Sequence, residues 1–415
     1  MLSRDSSDVA AGVASESIHG VSRVTTPVAS HRAAGDPARR ATPPRAKVAT
    51  TALRLAPIPV TPTKPLTPSH VKGLLWLDVL ERATRLVRPV RYEVNRTTYD
   101  ITWQTVEFWD WLEHTGFDPA GLDEVALGHT YVAFHKMRGA AGRPRADELR
   151  ARVERGYVHP ASARILEIWR GHYHALGIRD PGLTRAEPLP LTQEEALSAL
   201  AQRDLLLDLR SMGGGIYVDL TDEGIPLRTI VDADGRDNHA LCTLRDLAAT
   251  IRPDETIALL CDSELREDYL LLERCLRRLG AETFSMSLGR VRLPGGGEGS
   301  ARHGGWEDYT VDRIAERYRD VPPPVFRLGM RLYFIVGLGA GDKIELSFDL
   351  LGRFMKKALQ LLECRGAGSR EAGLACLDRL AQHRGFVDPY RVTSLLLSPP
   401  AQRDPLLPLL AEIFA

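Results

Sequence analysis

Residues Asp234 to Gly305 read DGRDNHALCTLRDLAATIRPDETIALLCDSELREDYLLLERCLRRLGAETFSMSLGRVRLPGGGEGSARHGG. This stretch divides into a polar turn, a helix from Asn238 to Thr250, a buried strand from Thr256 to Leu260, a second helix and a glycine-rich loop. A helix, a buried strand and a second helix make up half of a nucleotide-binding α/β layer. The stretch therefore predicts an α/β fold.

The second helix has the clearest pattern. Asp262 or Ser263 can cap its start, and Gly280 ends it. Its apolar residues recur at helical spacing: Leu265, Tyr269, Leu272, Leu276 and Leu279. One face of this helix is therefore predicted to pack on the sheet.

The order of motifs in this stretch resembles the second half of the catalytic domain of class I arginyl-tRNA synthetases. The motifs here are DG, C-x-x-R-D-L-A-A, an apolar strand, a helix ending RRLG, VRLPGG and GSARHG. In that family the corresponding motifs are DG, Y-x-T-R-D-I-A, a strand, a helix and K-M-S-T-R-x-G. The resemblance implies a class I synthetase-like Rossmann domain with a helical insertion and a short C-terminal helical domain.

The amino-acid composition excludes few classes of function. Lys plus Arg and Asp plus Glu number 54 each, so net charge argues neither for nor against a nucleic-acid partner. The five cysteines have no metal-ligand spacing and are predicted to be reduced thiols. The sequence contains no apolar run long enough to span a bilayer and no signal peptide pattern. We expect a cytoplasmic protein with no membrane contact, and the oligomeric state stays open.

The chain is predicted to have three parts. Residues 1–55 are rich in Ala, Ser, Arg, Thr and Pro without periodicity, which indicates a disordered N-terminal extension. Residues 56–345 form the Rossmann-like catalytic domain, with a helical insertion at about 118–209. Residues 346–415 are expected to be a helical remnant of the family's longer anticodon-binding domain. In the insertion, His172 and His174 are two residues apart and are expected to be exposed rather than a zinc pair.

Near the start of the domain, residues 70–73 read HVKG, where the resemblance implies the H-x-G-H signature that holds ATP phosphates against a helix N-terminus. His70 keeps the first histidine, Lys72 replaces the glycine, and Gly73 replaces the second histidine. Taken alone, His70 is also typical of a helix-cap or surface histidine. The signature is thus altered at the positions that approach the nucleotide.

The resemblance also assigns substrate-binding residues. Asp100 and Gln104 match the family's N-D-x-G-x-Q pattern, and its substrate-binding glutamate falls near Asn95 or Glu93, depending on the gap. Cys242 and Asp246 align with the tyrosine and the aspartate that bind the substrate guanidinium, and Asp268 aligns with a pocket glutamine. Two carboxylates would favour a cationic ligand. The alternative makes Asp246 half of an internal ion pair with an arginine and Asp268 a solvated helix residue.

The glycine-rich loop departs from the family's K-M-S-x-R motif. Glu298 replaces the lysine and Gly299 the methionine, whereas Ser300, Arg302 and Gly304 remain. A carboxylate repels a triphosphate that the lysine would attract. Both ATP signatures are therefore changed at charged positions.

These departures favour an aminoacyltransferase that moves an aminoacyl group from aminoacyl-tRNA to an arginine-like or guanidine-bearing acceptor, in specialised metabolism such as antibiotic biosynthesis. His70 would transfer protons, Lys72, Ser300 and Arg302 would act at the tRNA 3′ end, and Gly73 and Gly304 would let its backbone approach. No cofactor or metal is needed for this reaction. The alternatives are an ATP-dependent amino acid–amine ligase, which would use ATP with magnesium, a true arginyl-tRNA synthetase, and a non-catalytic RNA-binding paralogue.

Overall fold

The strands and helices below come from a computed structural model, which describes residues 52–137, 146–295, 300–341, 344–364, 368–382 and 384–415. The strands are β1 (Ala52–Leu55), β2 (Val90–Tyr92), β3 (Leu206–Asp208), β4 (Ile216–Leu220), β5 (Ile225–Val231), β6 (Glu255–Asp262) and β7 (Glu282–Leu288). The first helices are α1 (Pro68–Arg85), α2 (Thr97–Asp100), α3 (Trp103–Thr115), α4 (Glu124–Met137), α5 (Ala146–Glu154), α6 (Pro160–Leu176), α7 (Gln193–Ala201), α8 (His239–Leu247) and α9 (Arg266–Arg278). They are followed by α10 (Val311–Arg317), α11 (Pro323–Arg331), α12 (Phe348–Glu363), α13 (Arg370–Ala381), α14 (Pro389–Leu396), α15 (Pro400–Arg403) and α16 (Leu410–Phe414).

A parallel four-stranded sheet in the order β2-β1-β6-β7 lies at the centre. Successive residues of β6 point to opposite faces, and both faces are covered. Ile257 and Leu259 pack with α8 and α9, whereas Ala258 and Leu260 pack with Leu77 of α1 and its neighbours. The predicted α/β fold is confirmed.

Strand β1 corrects one predicted boundary. Residues 52–55 were assigned to a disordered extension, but they pair with β2 and β6 and place Leu53 and Leu55 in the core. A strand of four residues is too short to give a periodic pattern that stands out from its surroundings. Residues 1–51 lie outside the described part of the chain, so the prediction for them stays a prediction.

Helices α8 and α9 confirm the pattern read from the quoted stretch. α8 is extended by a 3₁₀ turn over Ala248–Thr250, so together they match the predicted helix from 238 to 250. Asp262 caps a 3₁₀ turn that leads into α9, and its carboxylate accepts hydrogen bonds from the amides of Glu264 and Leu265. These two helices cover one face of the central sheet.

A second, antiparallel sheet has the order β3-β4-β5 and contains the hairpin predicted between 210 and 230. Its turn glycines include Gly224, which has a φ of +74°. A Cβ at Gly215 would lie 2.3 Å from the carbonyl oxygen of Val231, so the close approach of the two strands requires glycine there.

The C-terminal helices pack around α1. α14 and α16 contact α1 directly, and a π-helical segment, Leu332–Gly337, joins α11 to the loop before α12. Arg331 is fully buried, and its Nε donates to Asp78 Oδ2 of α1 at 3.1 Å. Within the described residues, no helix combines the length and apolarity needed to cross a bilayer. The division into domains at residue 345 stays a prediction.

Candidate functional site

A cavity of about 450 Å³ opens at the carboxyl ends of β1 and β6, the edge at which open parallel sheets bind ligands. Its walls come from the connection from β1 into α1, from α2, from the starts of α3 and α8, from the turns that follow β6 and β7, and from the loop after residue 300. The lining side chains are Pro59, Thr61, Lys64, Thr67, Ser69, His70, Tyr99, Thr102, Trp103, Gln104, Asp237, Asn238, His239, Asp262, Glu264, Leu265, Arg290, Ser300, Ala301, Arg302 and His303.

Helix α1 begins earlier than the sequence alone indicated. Thr67 is its N-cap and Pro68 its first residue, a position that suits proline because the missing N–H has no helical partner there. Residues 67–70 therefore occupy the helix start, and His70 lies in the first turn of α1.

His70 lines the cavity, but its ring takes part in capping the N-terminus of α1. Its Nδ1 accepts a hydrogen bond from the Thr67 amide at 3.1 Å, completing a capping box. Burial, with the charges of Lys64 and Arg290, lowers the pKa of His70 to about 3. The ring is therefore neutral near pH 7 and carries its proton on Nε2. These contacts argue against the predicted role in proton transfer.

Lys72 lies in the core and not among the lining side chains. It is 1% exposed, and its Nζ donates to the carbonyl oxygens of Gly289 at 2.7 Å and Gly341 at 3.3 Å. A phosphate could reach this ammonium only after those contacts were broken. Gly73 borders a crevice of about 30 Å³ that shares Ser69 and His70 with the cavity. The prediction that Lys72 binds phosphate is corrected by this placement.

The loop after residue 300 brings two predicted residues together. Arg302 Nη2 donates to Gln104 Oε1 at 3.1 Å, and both side chains line the cavity beside Ser300. Gly304 has a φ of +76°, which favours glycine at this turn. Glu298 and Gly299 lie outside the described residues. The second signature thus keeps its arginine at the cavity.

Asp246 and Cys242 face the core below the cavity and are not among its lining residues. Cys242 is fully buried, and burial raises the pKa of its thiol. Burial also raises the pKa of Asp246, while the positive charge of Arg54 on β1 lowers it. Asp246 is thus a buried carboxylate under the charge of an arginine, and this placement argues against an open guanidinium site.

Asp268 lies beside the cavity wall. Its Oδ2 is 3.7 Å from Nε2 of His239, whose side chain lines the cavity. Burial lowers the pKa of His239, and the charge of Asp268 opposes that effect. Asp268 therefore faces an imidazole, which the sequence did not predict.

The remaining two predicted substrate residues lie away from the lining. Asn95 Nδ2 donates to the carbonyl oxygen of Glu187 at 3.2 Å in an exposed cluster. Asp100 is 1% exposed, and burial raises its pKa to about 7 against the opposing charge of Arg96. Their contacts support the chain around α2 and not the cavity.

The charges of the cavity are unevenly paired. Arg290 faces Asp262 at 3.4 Å and Glu264 at 2.5 Å, and buried Asp237 faces Arg245 at 3.1 Å. Two cations remain, Lys64 and Arg302; among the described residues neither is in an ion pair. Lys64 lies over the ring of Tyr131, 5.7 Å from its centroid, and Arg302 is bonded to a neutral amide. With the N-terminus of α1, these cations suit an anionic ligand.

Sequence reasoning missed over half of the lining residues. Asp262 and Asn238 carried a usable signal, because polar residues that directly follow a buried strand or cap a helix meet at the ligand-binding edge. Lys64, Trp103 and Arg290 had no such signal, since only the tertiary fold brings them together.

A second polar cluster supports the cavity from behind. Glu124 Oε1 accepts a hydrogen bond from the Leu66 amide at 3.0 Å, just before the N-cap of α1. His172 Nε2 is 2.9 Å from Glu124 Oε2, and its Nδ1 is 3.3 Å from Asp312 Oδ1. Burial lowers the pKa of His172, but hydrogen bonds to Asp312 and Glu124 outweigh it and raise the pKa to about 9.

These three side chains are close enough together to hold a metal ion. Because each ring nitrogen faces a different carboxylate, however, a proton on both nitrogens satisfies the cluster better than one ion would. His172 is 1% exposed, so the expectation that it is exposed is wrong. An imidazolium can be buried here because carboxylates lie on both sides of it.

Comparison with known proteins places the fold. No protein-family model and no curated sequence matches the chain. The chain is similar in structure to Thermus thermophilus arginyl-tRNA synthetase, with a TM-score of 0.53 and 14% identity over 88% of this chain and 79% of that one.

Two further solved structures are similar at a lower level. An arginyl-tRNA synthetase from Plasmodium falciparum has a TM-score of 0.49 and 10% identity over 88% of this chain and 74% of its own. A putative arginyl-tRNA synthetase from Campylobacter jejuni has a TM-score of 0.47 and 13% identity over 88% and 84%. The first likeness, at its low identity, shows that the chain has a class I aminoacyl-tRNA synthetase-like fold.

Proposed function

We propose that the chain is a tRNA-dependent aminoacyltransferase. It would move an aminoacyl group from aminoacyl-tRNA to the amine of a small arginine-like acceptor and form an amide bond. The observation that carries the proposal is the different placement of two lysines. Lys64 remains at the cavity, whereas Lys72 of the altered signature is buried against carbonyl oxygens. The cavity thus keeps cations for an RNA end, without the lysine that the altered signature would offer to ATP.

The donor end is proposed to lie against Lys64, Arg302 and the start of α1. Phosphates of the tRNA 3′ terminus would meet the two cations that lack carboxylate partners in the described structure. Ser300 lies beside Arg302 on the same wall and offers a hydroxyl to the ribose or a phosphate. Trp103 also lines the cavity, and because the guanidinium of Arg236 lies over one face of its ring, the terminal base would stack on the other face.

The acceptor is proposed to enter beside Glu264. Its side chain is 57% exposed and is 2.5 Å from Arg290, which is itself partly exposed. An exposed ion pair contributes about 0–1 kcal/mol, so a guanidinium or ammonium group could replace Arg290 at little cost. The arginine-like shape of the acceptor rests on the sequence resemblance. Glu264 takes over the role that was predicted for Asp246.

The transfer requires no nucleotide, because the ester of aminoacyl-tRNA is already activated. The chain would act by holding the ester carbonyl and the amine next to each other, which removes most of the entropic cost of a bimolecular step. The ATP-dependent ligase is the second candidate. It is favoured by the same start of α1 with Lys64 and Arg302, because these groups would also fit a triphosphate. The setting in antibiotic biosynthesis stays a prediction.

The deciding experiment has two arms. In the first, pyrophosphate exchange with ATP is measured across the twenty amino acids and arginine analogues in the absence of tRNA; exchange with any of them would overturn the transferase. In the second, aminoacyl-tRNAs and arginine-like amines are supplied without ATP, and the amide product is followed by mass spectrometry. We expect no exchange in the first arm and product in the second.

Variants then test the placement of the donor. Lys64→Gln and Arg302→Gln are each expected to raise the KM for aminoacyl-tRNA about tenfold, or about 1.4 kcal/mol. Arg319→Gln is the matched control, since Arg319 is 69% exposed and its ion pair is with Glu316, three residues earlier. An unchanged KM in both cavity variants would contradict the donor site.

A further inference from the structure

We propose that His239, positioned by Asp268, is the general base of the transfer reaction. This inference rests on the proposed function and names a catalytic residue for it. The cavity has three histidines, at 70, 239 and 303. Nδ1 of His70 is committed to the cap of α1, and His303 is an exposed side chain on the loop after residue 300. His239 alone has both a fixed backbone and a facing carboxylate.

The start of α8 leaves the His239 ring free for chemistry. Asn238 caps this helix, and its Oδ1 accepts hydrogen bonds from the amides of Ala240 at 3.0 Å and Leu241 at 3.1 Å. Its Nδ2 donates to the carbonyl oxygen of Thr229 at 2.7 Å, which ties the cap to β5. The backbone of His239 is therefore fixed, while no capping contact occupies its side chain.

The ring of His239 points one nitrogen at Asp268. Nε2 is 3.7 Å from Asp268 Oδ2, and the two side chains are 25% and 31% exposed. In the described conformation Nε2 is a buried atom without a hydrogen-bond partner. The facing carboxylate favours the proton on Nε2, which leaves Nδ1 as the basic nitrogen. A hydrogen bond of this kind is commonly long in a free enzyme and shortens when substrate binds.

The proposed step is balanced in atoms and protons. The neutral amine of the acceptor attacks the ester carbonyl carbon, and the new C–N bond forms as His239 Nδ1 takes a proton from that nitrogen. The C–O bond to the ribose then breaks, and His239 returns the proton to the leaving ribose oxygen. Asp268 stabilises the imidazolium between the two steps. No oxidant, metal or nucleotide takes part.

Other ionisable groups around the cavity set the conditions of the test. They are Lys64, His70, Tyr99, Asp237, Asp262, Glu264, Arg290, Arg302 and His303. His239 acts as a base only when neutral, so the rate should rise with pH through its pKa. Asp268 raises that pKa by its charge. Asp268→Asn should therefore lower the rate and also shift the acidic limb of the pH–rate profile to lower pH.

The experiment uses the full chain with aminoacyl-tRNA and the amine acceptor. We expect His239→Gln to reduce kcat at least about a hundredfold with the KM for aminoacyl-tRNA unchanged, as for loss of a general base. Asp268→Asn should reduce kcat about tenfold and move the acidic limb. His174→Gln, an exposed histidine on α6, is the control and should behave as wild type. His239→Gln with more than a third of the wild-type kcat would overturn the proposal.

A second measurement does not depend on activity. Histidine labelled with ¹⁵N reports the tautomer and titration of His239, whose signals are assigned by their loss in His239→Gln. We expect the Nε2–H tautomer and a lower pKa in Asp268→Asn. A proton on Nδ1, or a titration that Asp268→Asn leaves unchanged, would overturn the pairing. Absence of product with the wild-type chain would overturn the transferase, whereas this test would still decide the pairing.

Discussion

Helices α1 and α8 both begin at the cavity, and each carries a histidine in its first turn, yet the two histidines are used differently. In α1 the ring of His70 accepts a hydrogen bond from the Thr67 amide and completes the cap. In α8 the side-chain oxygen of Asn238 accepts the capping hydrogen bonds, and the ring of His239 takes no part in the cap. The comparison teaches that the residue chosen as cap decides whether a nearby histidine is available for chemistry.

The two helices are also anchored differently. α1 is held by buried charges along its length, with Asp78 facing Arg331 and Lys72 facing carbonyl oxygens. In α8, Asp237 just before the helix faces Arg245 in its last turn, and the Asn238 side chain ties the start to β5. Changes in the middle of α1 should therefore act on stability, and changes at the start of α8 should act on the reaction.

The largest expected effect is the loss of the buried ion pair between Asp78 and Arg331, which anchors α1. Asp78→Ala leaves Arg331, which is fully buried, without its carboxylate. Removing one partner of a buried ion pair costs about 3–5 kcal/mol. We expect urea unfolding to show a loss of that size. Asp222→Ala is the control, since it removes an exposed partner of Arg278 and should cost under about 1 kcal/mol. A loss for Asp78→Ala as small as the control's would contradict the buried anchor.

The second effect concerns the support behind the start of α1. The folded-state pKa of His172 is raised to about 9, above the unfolded value near 6.5, so its stabilisation is fully present below pH 6.5. It is lost as pH rises from 6.5 to 9, and we expect a fall on the order of 2 kcal/mol after allowing for the exposed Asp312.

Urea unfolding across that pH range measures the fall. His172→Gln should remove most of the pH dependence that wild type shows there, whereas His174→Gln should keep it. Equal slopes for wild type and His172→Gln would show that His172 is not a buried imidazolium.

A smaller effect tests the cap of α8. Asn238→Ala should cost about 1 kcal/mol of stability, the usual loss for an N-cap. Thr192→Ala is matched to it, because Thr192 caps α7 with its own capping box. We expect similar stability losses in the two variants, with a reduced transfer rate only in Asn238→Ala. Equal transfer rates in the two variants would show that the Asn238 cap does not position His239.

The smallest effect is expected at His70. Glutamine suits the third helical position of a capping box, because its side-chain oxygen can accept the same Thr67 amide. His70→Gln should therefore change the unfolding free energy by less than about 0.5 kcal/mol and the transfer rate by less than about threefold. A hundredfold loss of transfer rate in His70→Gln would show that His70 of α1, and not His239 of α8, transfers the proton.

The sequence predicted much of the fold because local signals agreed with the tertiary structure. The apolar spacing in α9, the glycine after it and the short apolar run of β6 each reflect contacts made with a sheet face. It failed at β1, whose four residues gain their conformation from pairing with β6 and β2. Short strands depend on such long-range pairing, which local periodicity does not report.

The site was predicted less well than the fold, for a physical reason. Alignment by resemblance assigns a residue to a position, but burial decides whether that residue reaches a ligand. Lys72 and Asp246 were charged residues at plausible positions, and both are almost fully buried. Gln104 and Arg302 both line the cavity and are joined by a hydrogen bond. Their roles stay predictions.

Arg54 beside Asp246 has a thermodynamic consequence. The resemblance gives Asp246 to the guanidinium of a free substrate, whereas in this chain the charge of Arg54 acts on that carboxylate. Because Arg54 is part of the same chain, its charge acts on Asp246 at a fixed effective concentration, and a free cation would have to compete with it for this 9% exposed carboxylate. Asp246 is therefore a poorer site for a cationic ligand than a carboxylate that opens onto the cavity.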